Sequence, residues 1–353
     1  MDFDLTNEQR MIADTVADVM RAAEGPAVWQ SLVESGLLGM TYPEDNGGAG
    51  LGVLTLAPAL AAMGRGKDSP PVVGGAVLPG LLTTRCDFPA FDVSEALEKA
   101  VPVAVALPEN ATGLRTANGV LNGTVQTVLG GADAQVLLLC LEGANGAVCG
   151  SVNLAQAGIA VTPLPMLDGQ VAADMTFDNV AVSLLQADAD LTGWMSDVAA
   201  VCLCATALGA AQAMRELTRD YLSTRKQFGR PIGSFQVLQH KMVDVFHETE
   251  HFESLVLAAA SACDGTDVPA RQKVVSALKR YCGMRMRDAA SACIQMHGGI
   301  GTTEEYELGV LVKRILMAGM MFGTADTHTQ RLGRLVAEIA RQDAVAIGME
   351  VPA

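Results

Sequence analysis

The stretch from Arg225 to Met242, RKQFGRPIGSFQVLQHKM, carries residue types suited to binding an anionic group. It holds two arginines and two lysines, although the formal net charge of the chain is -15. A guanidinium forms paired, charge-assisted hydrogen bonds with phosphate oxygens. The stretch is therefore interpreted either as the solvated end of a helix or as an anion-binding segment that begins at Arg225.

A second candidate is the segment His247–His251, HETEH, which matches the H-E-x-x-H pattern of zinc proteases. Its two imidazoles lie one helical turn apart with a glutamate between them, as such a zinc site requires. At about 100° per residue, however, both histidines lie roughly opposite the apolar stripe of the same predicted helix. That stripe consists of Leu238, Met242, Val245, Phe252, Val256 and Ala259. Because no third ligand follows at a suitable spacing, we interpret HETEH as a solvated helix face and expect no metal site.

The composition limits the classes of partner. The chain has 353 residues, of which 50% are apolar, enough for two or three domains around a sizeable core. The acidic balance argues against nucleic acid or an anionic membrane as a partner, because phosphate groups favour clustered lysine and arginine. The 8 cysteines are scattered without a Cys-x-x-Cys pair, a pattern typical of buried thiols in a reducing cytoplasm.

No targeting or spanning segment is predicted. The first residues lack the charged region and apolar run of a signal peptide. The longest apolar run, Val198–Met214, is short for a membrane span and is interrupted by Gln212. We interpret this run as a buried helix of a bundle, and we expect a cytoplasmic protein without a membrane span.

Three regions of different sequence texture must position these residues. Residues 1–97 show helical patterns, which begin at the capping-box sequence Thr6-Asn7-Glu8-Gln9. Residues 98–188 consist of short β-branched runs cut by glycine, asparagine and proline, typical of a small β-barrel or sandwich. Residues 189–353 again predict long helices. The predicted fold is α+β and multidomain, with a helical domain, a β domain and a helical bundle in that order.

Two helix boundaries in the last region are predicted from individual residues. Gly298 and Gly299 are expected to end one helix, since glycine is common at helix C-termini. Thr302 with Glu305 has the capping-box spacing, and is expected to begin the next helix.

Four segments, spread over nearly the whole chain, resemble the acyl-CoA dehydrogenase family in the family's order and spacing. They are FDLTNEQRMIADTV, SGLLGMTYPEDNGGAGLG, RKQFGRPIGSFQVLQHKMVD and IQMHGGIGTTEEYELGVLVKR. The resemblance implies an N-terminal α-helical domain, a middle β-barrel domain and a C-terminal four-helix bundle. It also implies FAD as the cofactor, an acyl-CoA thioester as the substrate, and α,β-dehydrogenation with electrons passed to an electron-transfer flavoprotein.

The resemblance also gives the basic stretch a role at a subunit interface, against the flavin nucleotide that the neighbouring subunit holds. Arg225 then contacts the pyrophosphate, and Phe228 supplies an apolar wall. Gln295, Gly298 and Gly299 complete the ADP pocket, since missing side chains let the backbone come close to the ligand. A plain helix C-cap for the two glycines and a surface ion pair for Arg225 are the alternatives.

The glutamate that removes the acyl α-proton in most family members has no counterpart here. In MMFGTADTHTQRL, matching the Gly-Thr places Phe322 at the base position, whereas matching the Gln-Arg places Thr324 there. Some members carry the base on the preceding helix, where this chain has Met284. Asp288 and Asp326 lie nearby, but aspartate is a methylene shorter, and a misplacement of about 1 Å costs on the order of a hundredfold in rate. That loss is comparable with what a general base contributes, roughly 10²–10⁴-fold, so we expect no catalytic base.

The strands that hold the flavin ring in the family are altered as well. Members usually carry TEP-x-x-GSD and W/F-I-T/S-N, whose backbone and hydroxyl groups contact the ring. The matching stretches here are VALPENATG and TVQTVLGGADAQVLLL, with leucine and glycine where the hydroxyl is expected. The chain thus keeps the half of the site that a subunit gives to its neighbour and lacks the half that it uses on its own flavin.

This asymmetry predicts the non-catalytic subunit of an FAD-dependent dehydrogenase complex, an α₂β₂ heterotetramer with fewer flavins than subunits. Its expected partners are a catalytic acyl-CoA dehydrogenase subunit, an acyl-CoA and an electron-transfer flavoprotein. By resemblance, the acyl group is bulky, for example steroid-derived. Two alternatives stay open: a self-sufficient dehydrogenase with Asp326 or Asp288 as the base, and a non-enzymatic binding or scaffold protein.

Overall fold

The computed structural model describes residues 5–88 and 90–346. Its N-terminal part is helical, as the sequence predicts, and its five α-helices are Asn7–Ala22 (α1), Pro26–Glu34 (α2), Val53–Gly64 (α3), Leu78–Thr83 (α4) and Val93–Glu98 (α5). The predicted capping box at the start of α1 is confirmed. The Thr6 hydroxyl accepts from the Gln9 backbone N–H at 3.2 Å, and the Gln9 side-chain oxygen accepts from the Thr6 N–H at 2.9 Å.

The middle of the chain forms two four-stranded sheets that enclose a common core. The strands are Val103–Ala106 (β1), Gly113–Ala117 (β2), Val120–Val128 (β3), Val136–Gly143 (β4), Gly146–Asn153 (β5), Ile159–Pro165 (β6), Val171–Ala181 (β7) and Leu184–Gln186 (β8). One sheet has the order β1-β4-β5-β8 and the other β2-β3-β7-β6. Only the β1–β4 pair among these is parallel. The β domain is therefore built from two packed sheets.

Strand β4 shows why its sequence, VLLLCLEG, is apolar without alternation. Leu137 and Leu139 face the core between the two sheets. Leu138 and Cys140, on the opposite face, pack into the core shared with the helical domains. Because successive side chains of a strand point to opposite faces, a strand covered on both sides needs apolar residues at every position.

The C-terminal region is helical. Its helices are Leu191–Thr224 (α6), Gln236–Asp264 (α7), Val268–Tyr281 (α8), Arg287–His297 (α9), Leu308–Met320 (α10) and Ala325–Ala346 (α11). A π-helical turn, Cys282–Met286, joins α8 to α9 without a break. Between α6 and α7 lies a short hairpin of Lys226–Gln227 (β9) and Arg230–Pro231 (β10).

Two helical stretches of the described chain, Leu191–Thr224 and Leu308–Glu338, are long and apolar enough to cross a membrane. In the first, 89% of the most apolar window is buried inside the protein, and in the second 44%. Core helices of folded domains pass the same test of length and composition. The run Val198–Met214 is thus the buried bundle helix that the sequence predicts.

Two polar contacts fasten the N-terminal domain to the bundle. The carboxylate of Asp264 accepts hydrogen bonds from the N–H groups of Val53 at 2.8 Å and Leu54 at 2.9 Å, and so caps the start of α3. The buried guanidinium of Arg314 donates to the carbonyls of Gly64, the last residue of α3, and of Gly66 and Asp68 just after it. Both ends of one N-terminal helix are therefore held by residues of the bundle.

The predicted helix start at Thr302 and Glu305 is wrong. Helix α10 begins at Leu308, with Glu307 as its N-cap. The hydroxyl of Thr302 instead donates to the Gly299 carbonyl at 2.9 Å, within a 3-10 turn that spans Gly298–Thr302. The glycines let the chain continue in this tight turn directly after α9, so Thr302 belongs to the end of one helix and not to the start of the next.

Candidate functional site

Two helix ends that carry the predicted binding residues meet in the bundle. The ring of Tyr221, in the last turns of α6, stacks on the ring of His297, the last residue of α9, with 4.5 Å between the ring centroids. Arg225 follows Tyr221 by one helical turn, and Gly298 follows His297 directly. The segments RKQFG and HGG therefore emerge side by side at one end of the bundle.

The RKQFG segment forms a tight hairpin with an aromatic ring at its tip. Its two-residue loop is Phe228–Gly229, and both residues have positive φ, 53° and 78°, as in a type I′ turn. Positive φ is costly for a bulky side chain. Phe228 nevertheless occupies this position with 88% of its surface exposed. A large apolar ring is thus held out into solvent at a backbone position that favours glycine or asparagine.

Neighbouring side chains make the hairpin rigid. The ring of Phe228 meets that of Phe235 edge to face at 6.0 Å, and the guanidinium of Arg230 lies 4.3 Å over the Phe235 ring. At the base, the Ile232 N–H donates to the Arg225 carbonyl at 2.8 Å. The side chain of Arg225 itself is exposed and, within the described part of the chain, has no hydrogen-bond or ion-pair partner. Its guanidinium is therefore available for an anion.

The adjoining HGG segment presents open backbone. Gly298 ends α9 with φ at 66°, a backbone conformation that glycine adopts at low cost. A Cβ placed on Gly298 or Gly299 would meet no heavy atom within 4 Å, and Gln295 is exposed one turn earlier. The five predicted nucleotide-contact residues thus share one exposed end of the bundle: Arg225, Phe228, Gln295, Gly298 and Gly299.

His297 is buried beneath this surface and packs against two tyrosines, a structural role that was not predicted from the sequence. Its ring is 3% exposed and lies between Tyr221 and Tyr306, 5.3 Å from the Tyr306 ring centroid. Its Nδ1–H donates to the Cys293 carbonyl at 2.8 Å, and within the described residues its buried Nε2 has no partner. Burial lowers the pKa of His297, so the ring is neutral at pH 7. The sequence signal for this role was the presence of two aromatic residues, Tyr221 four before Arg225 and His297 directly before Gly298.

An apolar groove runs away from the hairpin between α6 and α7. It encloses about 540 Å³, and its lining includes Leu222, Gly233, Met242, Val243 and Phe246. Val243 and Phe246 are 53% and 48% exposed. Exposed apolar surface therefore continues from the tip of the hairpin along one face of the bundle, as it does at protein–protein contacts.

The positions of the missing base have structural roles instead. Thr324 accepts from the Thr327 N–H at 3.3 Å and so caps the start of α11. Phe322 has φ at 54°, and its carbonyl accepts from His328 Nε2 at 3.0 Å. The next carbonyl towards the N-terminus, that of Met321, accepts from the fully buried Lys279 at 2.6 Å. Hydrogen bonds to nearby residues thus hold this loop in place, and the positions of Phe322 and Thr324 offer no carboxylate.

The other candidate positions are on the surface. Met284 is 38% exposed within the π-helical turn. Asp288 is exposed and lies 3.5 Å from Arg287, and Asp326 is exposed in the first turn of α11. A base for a weakly acidic carbon must be held against its substrate in a shaped site. Neither aspartate is held in this way in the folded chain.

The stretch that resembles the family's ring-binding strand is hydrogen-bonded to other parts of the β domain. Strand β3 bulges near its end, where the Asn110 amide donates to the carbonyls of Gln126 and Thr127 at 2.9 and 3.1 Å. The Thr127 N–H donates to Asp174 at 2.8 Å. Backbone groups in the stretch that resembles the family's ring-binding strand are therefore hydrogen-bonded to side chains of the chain's own β domain.

The end of the same strand packs directly on the N-terminal domain. A Cβ added to Gly130 would lie 2.8 Å from the Gly75 backbone nitrogen, and one added to Gly74 would lie 2.3 Å from the Leu129 carbonyl oxygen. Backbone meets backbone at this point, where only glycine fits. The residues that stand where the ring's hydroxyl contact is expected, Leu129 and Gly130, thus pack against the backbone of the N-terminal domain and carry no hydroxyl.

The HETEH segment has the surface position that its helix phase indicates. His247 and His251 are exposed, and their ring centroids are 6.4 Å apart. The carboxylate of Glu248 accepts from the Tyr281 hydroxyl at 2.5 Å and from Arg285 at 3.2 Å. Burial opposes ionisation of Glu248, but these hydrogen bonds outweigh it and lower its pKa. In the described ranges no three histidine, cysteine or acidic side chains are grouped to hold a metal ion.

Two models of one protein family match the chain. Residues 6–78 match the model of the acyl-CoA dehydrogenase N-terminal domain, and residues 191–337 match that of the C-terminal domain. A curated relative, "Acyl-CoA dehydrogenase FadE34" of Mycobacterium tuberculosis, is 30% identical over 324 residues. This match covers 87% of the chain but 42% of FadE34, so the chain spans less than half the length of that relative.

Solved structures share the fold over nearly the whole length of the chain. The chain aligns with a variant of the Tcur3481-Tcur3483 steroid ACAD (acyl-CoA dehydrogenase) at a TM-score of 0.81 and 26% identity, covering 95% of this chain and 97% of that one. It aligns with the ChsE4-ChsE5 complex from Mycobacterium tuberculosis at a TM-score of 0.84 and 24% identity, covering 96% and 99%. Both structures are named as pairs of different chains.

Proposed function

Because this chain belongs to the acyl-CoA dehydrogenase family of FAD-dependent oxidoreductases, we propose that it is the non-catalytic subunit of a heteromeric dehydrogenase. In this proposal it gives the ADP-side contacts of FAD to a catalytic partner subunit, which holds the flavin ring and supplies the base. The observation that carries the proposal is the contrast between two surfaces of one chain. The surface proposed for a neighbour's nucleotide is exposed, whereas the stretch that resembles the ring-binding strand lacks the hydroxyl and packs against the N-terminal domain.

The open surface fits the nucleotide half of FAD. The unpaired guanidinium of Arg225 suits a pyrophosphate, which accepts paired, charge-assisted hydrogen bonds. The exposed ring of Phe228 provides an apolar wall, and the open backbone at Gly298 and Gly299 admits close approach. The apolar groove between α6 and α7 continues this surface and is proposed to be covered by the partner subunit.

The division of labour follows from these residues. The chemistry that FAD supplies in this family is acceptance of a hydride from the acyl β-carbon. This chain orients the nucleotide through Arg225 and excludes water from it with Phe228. It moves no proton from the substrate, because the base positions hold Phe322, Thr324 and Met284. The acyl-CoA and the electron-transfer flavoprotein are proposed to bind to the assembled complex.

A bulky, steroid-derived acyl group is the proposed substrate class. The support is the printed name of one structural neighbour, the Tcur3481-Tcur3483 steroid ACAD, at 26% identity. The self-sufficient dehydrogenase and the scaffold protein are the competing outcomes of the test below. No observation favours either, since Asp288 and Asp326 are both exposed.

The test compares the chain alone with the chain co-expressed with an acyl-CoA dehydrogenase from its genomic neighbourhood that carries the glutamate. The lone chain is expected to be colourless, and the complex yellow and active on acyl-CoA. Arg225→Ala is expected to weaken FAD binding about 10–100-fold, the value of hydrogen bonds to charged groups, without preventing assembly. Arg10→Ala, an exposed arginine of α1, is the matched control. A lone chain that is yellow and reduced by acyl-CoA would contradict the proposal, and unchanged flavin content in Arg225→Ala would favour a scaffold.

A further inference from the structure

Three cysteine side chains form a row across the boundary between the N-terminal helices and the β domain. Cys86 lies just after α4, and its Sγ is 2.8 Å from Sγ of Cys149 on β5. Cys149 in turn is the register partner of Cys140 on β4. The other cysteines lie within helices. This row is therefore the one cluster of thiols between two domains in the described residues.

The two facing thiols are held by rigid backbone on both sides. The Cys86 N–H donates to the Leu82 carbonyl at 3.1 Å, which fixes it to the last turn of α4. Cys149 is in the middle of β5, paired with Cys140 on one side and Leu185 on the other. These contacts fix the backbone of both residues, so the two Cβ atoms keep their approach in the folded protein.

The two thiols of this pair differ in their exposure to solvent. Cys86 is partly exposed, whereas Cys149 and Cys140 are buried. A surface groove of about 560 Å³, lined by Asp87, Phe88, Cys149 and Ser151 among others, opens next to the pair. A small oxidant therefore reaches Cys86 through the exposed part of its own side chain, and the groove opens beside Cys149, the second thiol.

We propose that Cys86 and Cys149 form a redox modification site, in which a peroxide converts the two thiols to a disulfide between the two domains. Cys86 attacks one oxygen of hydrogen peroxide, which gives a sulfenic acid and one water. Cys149 then attacks the Cys86 sulfur, which forms the S–S bond and releases the second water. Two thiols lose two electrons and two protons, and the peroxide is reduced to two waters.

The surroundings of the two thiols slow their oxidation at neutral pH. The hydrogen bond to Cys149 and burial raise the pKa of Cys86, and the contact with Cys140 and burial raise that of Cys149. Since the thiolate is the form that attacks peroxide, the rate of disulfide formation is expected to rise with pH.

A disulfide at this place would close a loop of about 60 residues, which restricts the unfolded chain. For a chain of this size, the resulting rise in Tm is on the order of 5 °C. The test treats the purified full-length chain with hydrogen peroxide and maps its peptides without reduction. We expect a Cys86–Cys149 peptide pair, a higher Tm, and reversal of both by dithiothreitol.

Variants separate this site from other oxidation events. Cys86→Ser and Cys149→Ser are each expected to lose the linked peptides and the rise in Tm. Cys140→Ala, the matched control in the same row, keeps both. The proposal is overturned if Cys86 and Cys149 remain alkylatable after treatment, if Cys140 and Cys149 are the linked pair, or if Cys86 goes to sulfinic acid without a disulfide.

Discussion

The ring of Tyr221 lies on the ring of His297, with 4.5 Å between the centroids and 27° between the planes. This stack joins the C-terminal ends of α6 and α9, each of which continues into a segment with predicted nucleotide contacts. The relative position of Arg225 and Gly298 therefore depends on an aromatic pair in which His297 is buried and Tyr221 half-buried.

Tyr221→Ala removes this stack. Aromatic pairs contribute about 0.5–1.5 kcal/mol beyond their buried area, so we expect a lower Tm and a complex that loses FAD more readily. Tyr221→Phe keeps the ring and is expected to behave like the natural chain in both measurements. Flavin absorbance after gel filtration and thermal unfolding of the same samples check the prediction, and normal flavin retention in Tyr221→Ala would contradict it.

Phe228→Asn separates stability from association. Asparagine tolerates positive φ, and Asn-Gly is the preferred pair for a type I′ hairpin loop. We expect the lone chain to be as stable as before or more stable, by up to about 1 kcal/mol, because the bulky side chain no longer has positive φ. Binding to the partner subunit should weaken at least tenfold, since an exposed aromatic anchor is lost.

Chemical unfolding of the lone chain and titration with the partner measure the two effects. Met11→Gln, which removes another exposed apolar side chain, from α1, is the control and should leave association unchanged. A less stable lone chain with unchanged partner affinity would show that the strained Phe228 serves the fold and not the interface.

Acid is expected to destabilise the chain through two buried histidines. Burial lowers the folded-state pKa of His297 and of His328 below the ordinary value of 6.5. The unfolded chain therefore binds more protons than the folded chain as pH falls through about 6.5, and stability is lost in that direction. Each histidine contributes at most about 1.4 kcal/mol per pH unit.

Unfolding free energies at pH 7.5 and pH 5 give the slope. His328→Gln keeps a donor for the Phe322 carbonyl but cannot take up a proton in this range, so the fall in stability should be smaller. The same slope in His328→Gln and in the natural chain would assign the acid sensitivity to other groups.

Restoring a carboxylate alone is expected to restore no activity. Met284→Glu places a glutamate at one family position of the base, and Phe322→Glu places it at the other. Both variants should remain inactive without a partner, because the stretch that resembles the ring-binding strand lacks its hydroxyl contact and its backbone groups are bonded to Asn110 and Asp174. Acyl-CoA-dependent dye reduction with added FAD is the assay, and turnover by either lone variant would show that a ring seat exists.

Periodicity and local patterns predicted the order of a helical, a β and a second helical region, and the resemblance to a known family supplied the specific fold. The capping box at Thr6 and the helical stripe through Val245 and Phe252 depend on neighbours within one or two turns. The continuous apolar run of β4 correctly indicated strand rather than helix, because it is short and lies among turn residues. The prediction of a helix start at Thr302 was wrong because the same spacing occurs in a glycine-rich 3-10 turn. In that turn the Thr302 hydroxyl donates to the carbonyl of Gly299, three residues earlier.

The candidate site was less accessible from sequence, because its decisive contacts join distant residues. The sequence shows that leucine and glycine replace a hydroxyl near Gly130, but not that Gly74 and Gly75 pack against that strand. The exposure of Phe228 at positive φ likewise depends on a hairpin register that two-residue strands do not specify in advance. Long-range backbone contacts of this kind have no local signal.

The most direct test of the account is the number of FAD molecules per chain in the purified complex with its catalytic partner. Quantitative flavin absorbance, combined with the molar mass of the complex from light scattering, gives this ratio. The account predicts one FAD for each pair of unlike subunits, and none on this chain alone. One FAD for every chain, with flavin retained when this chain is separated from its partner, would contradict it.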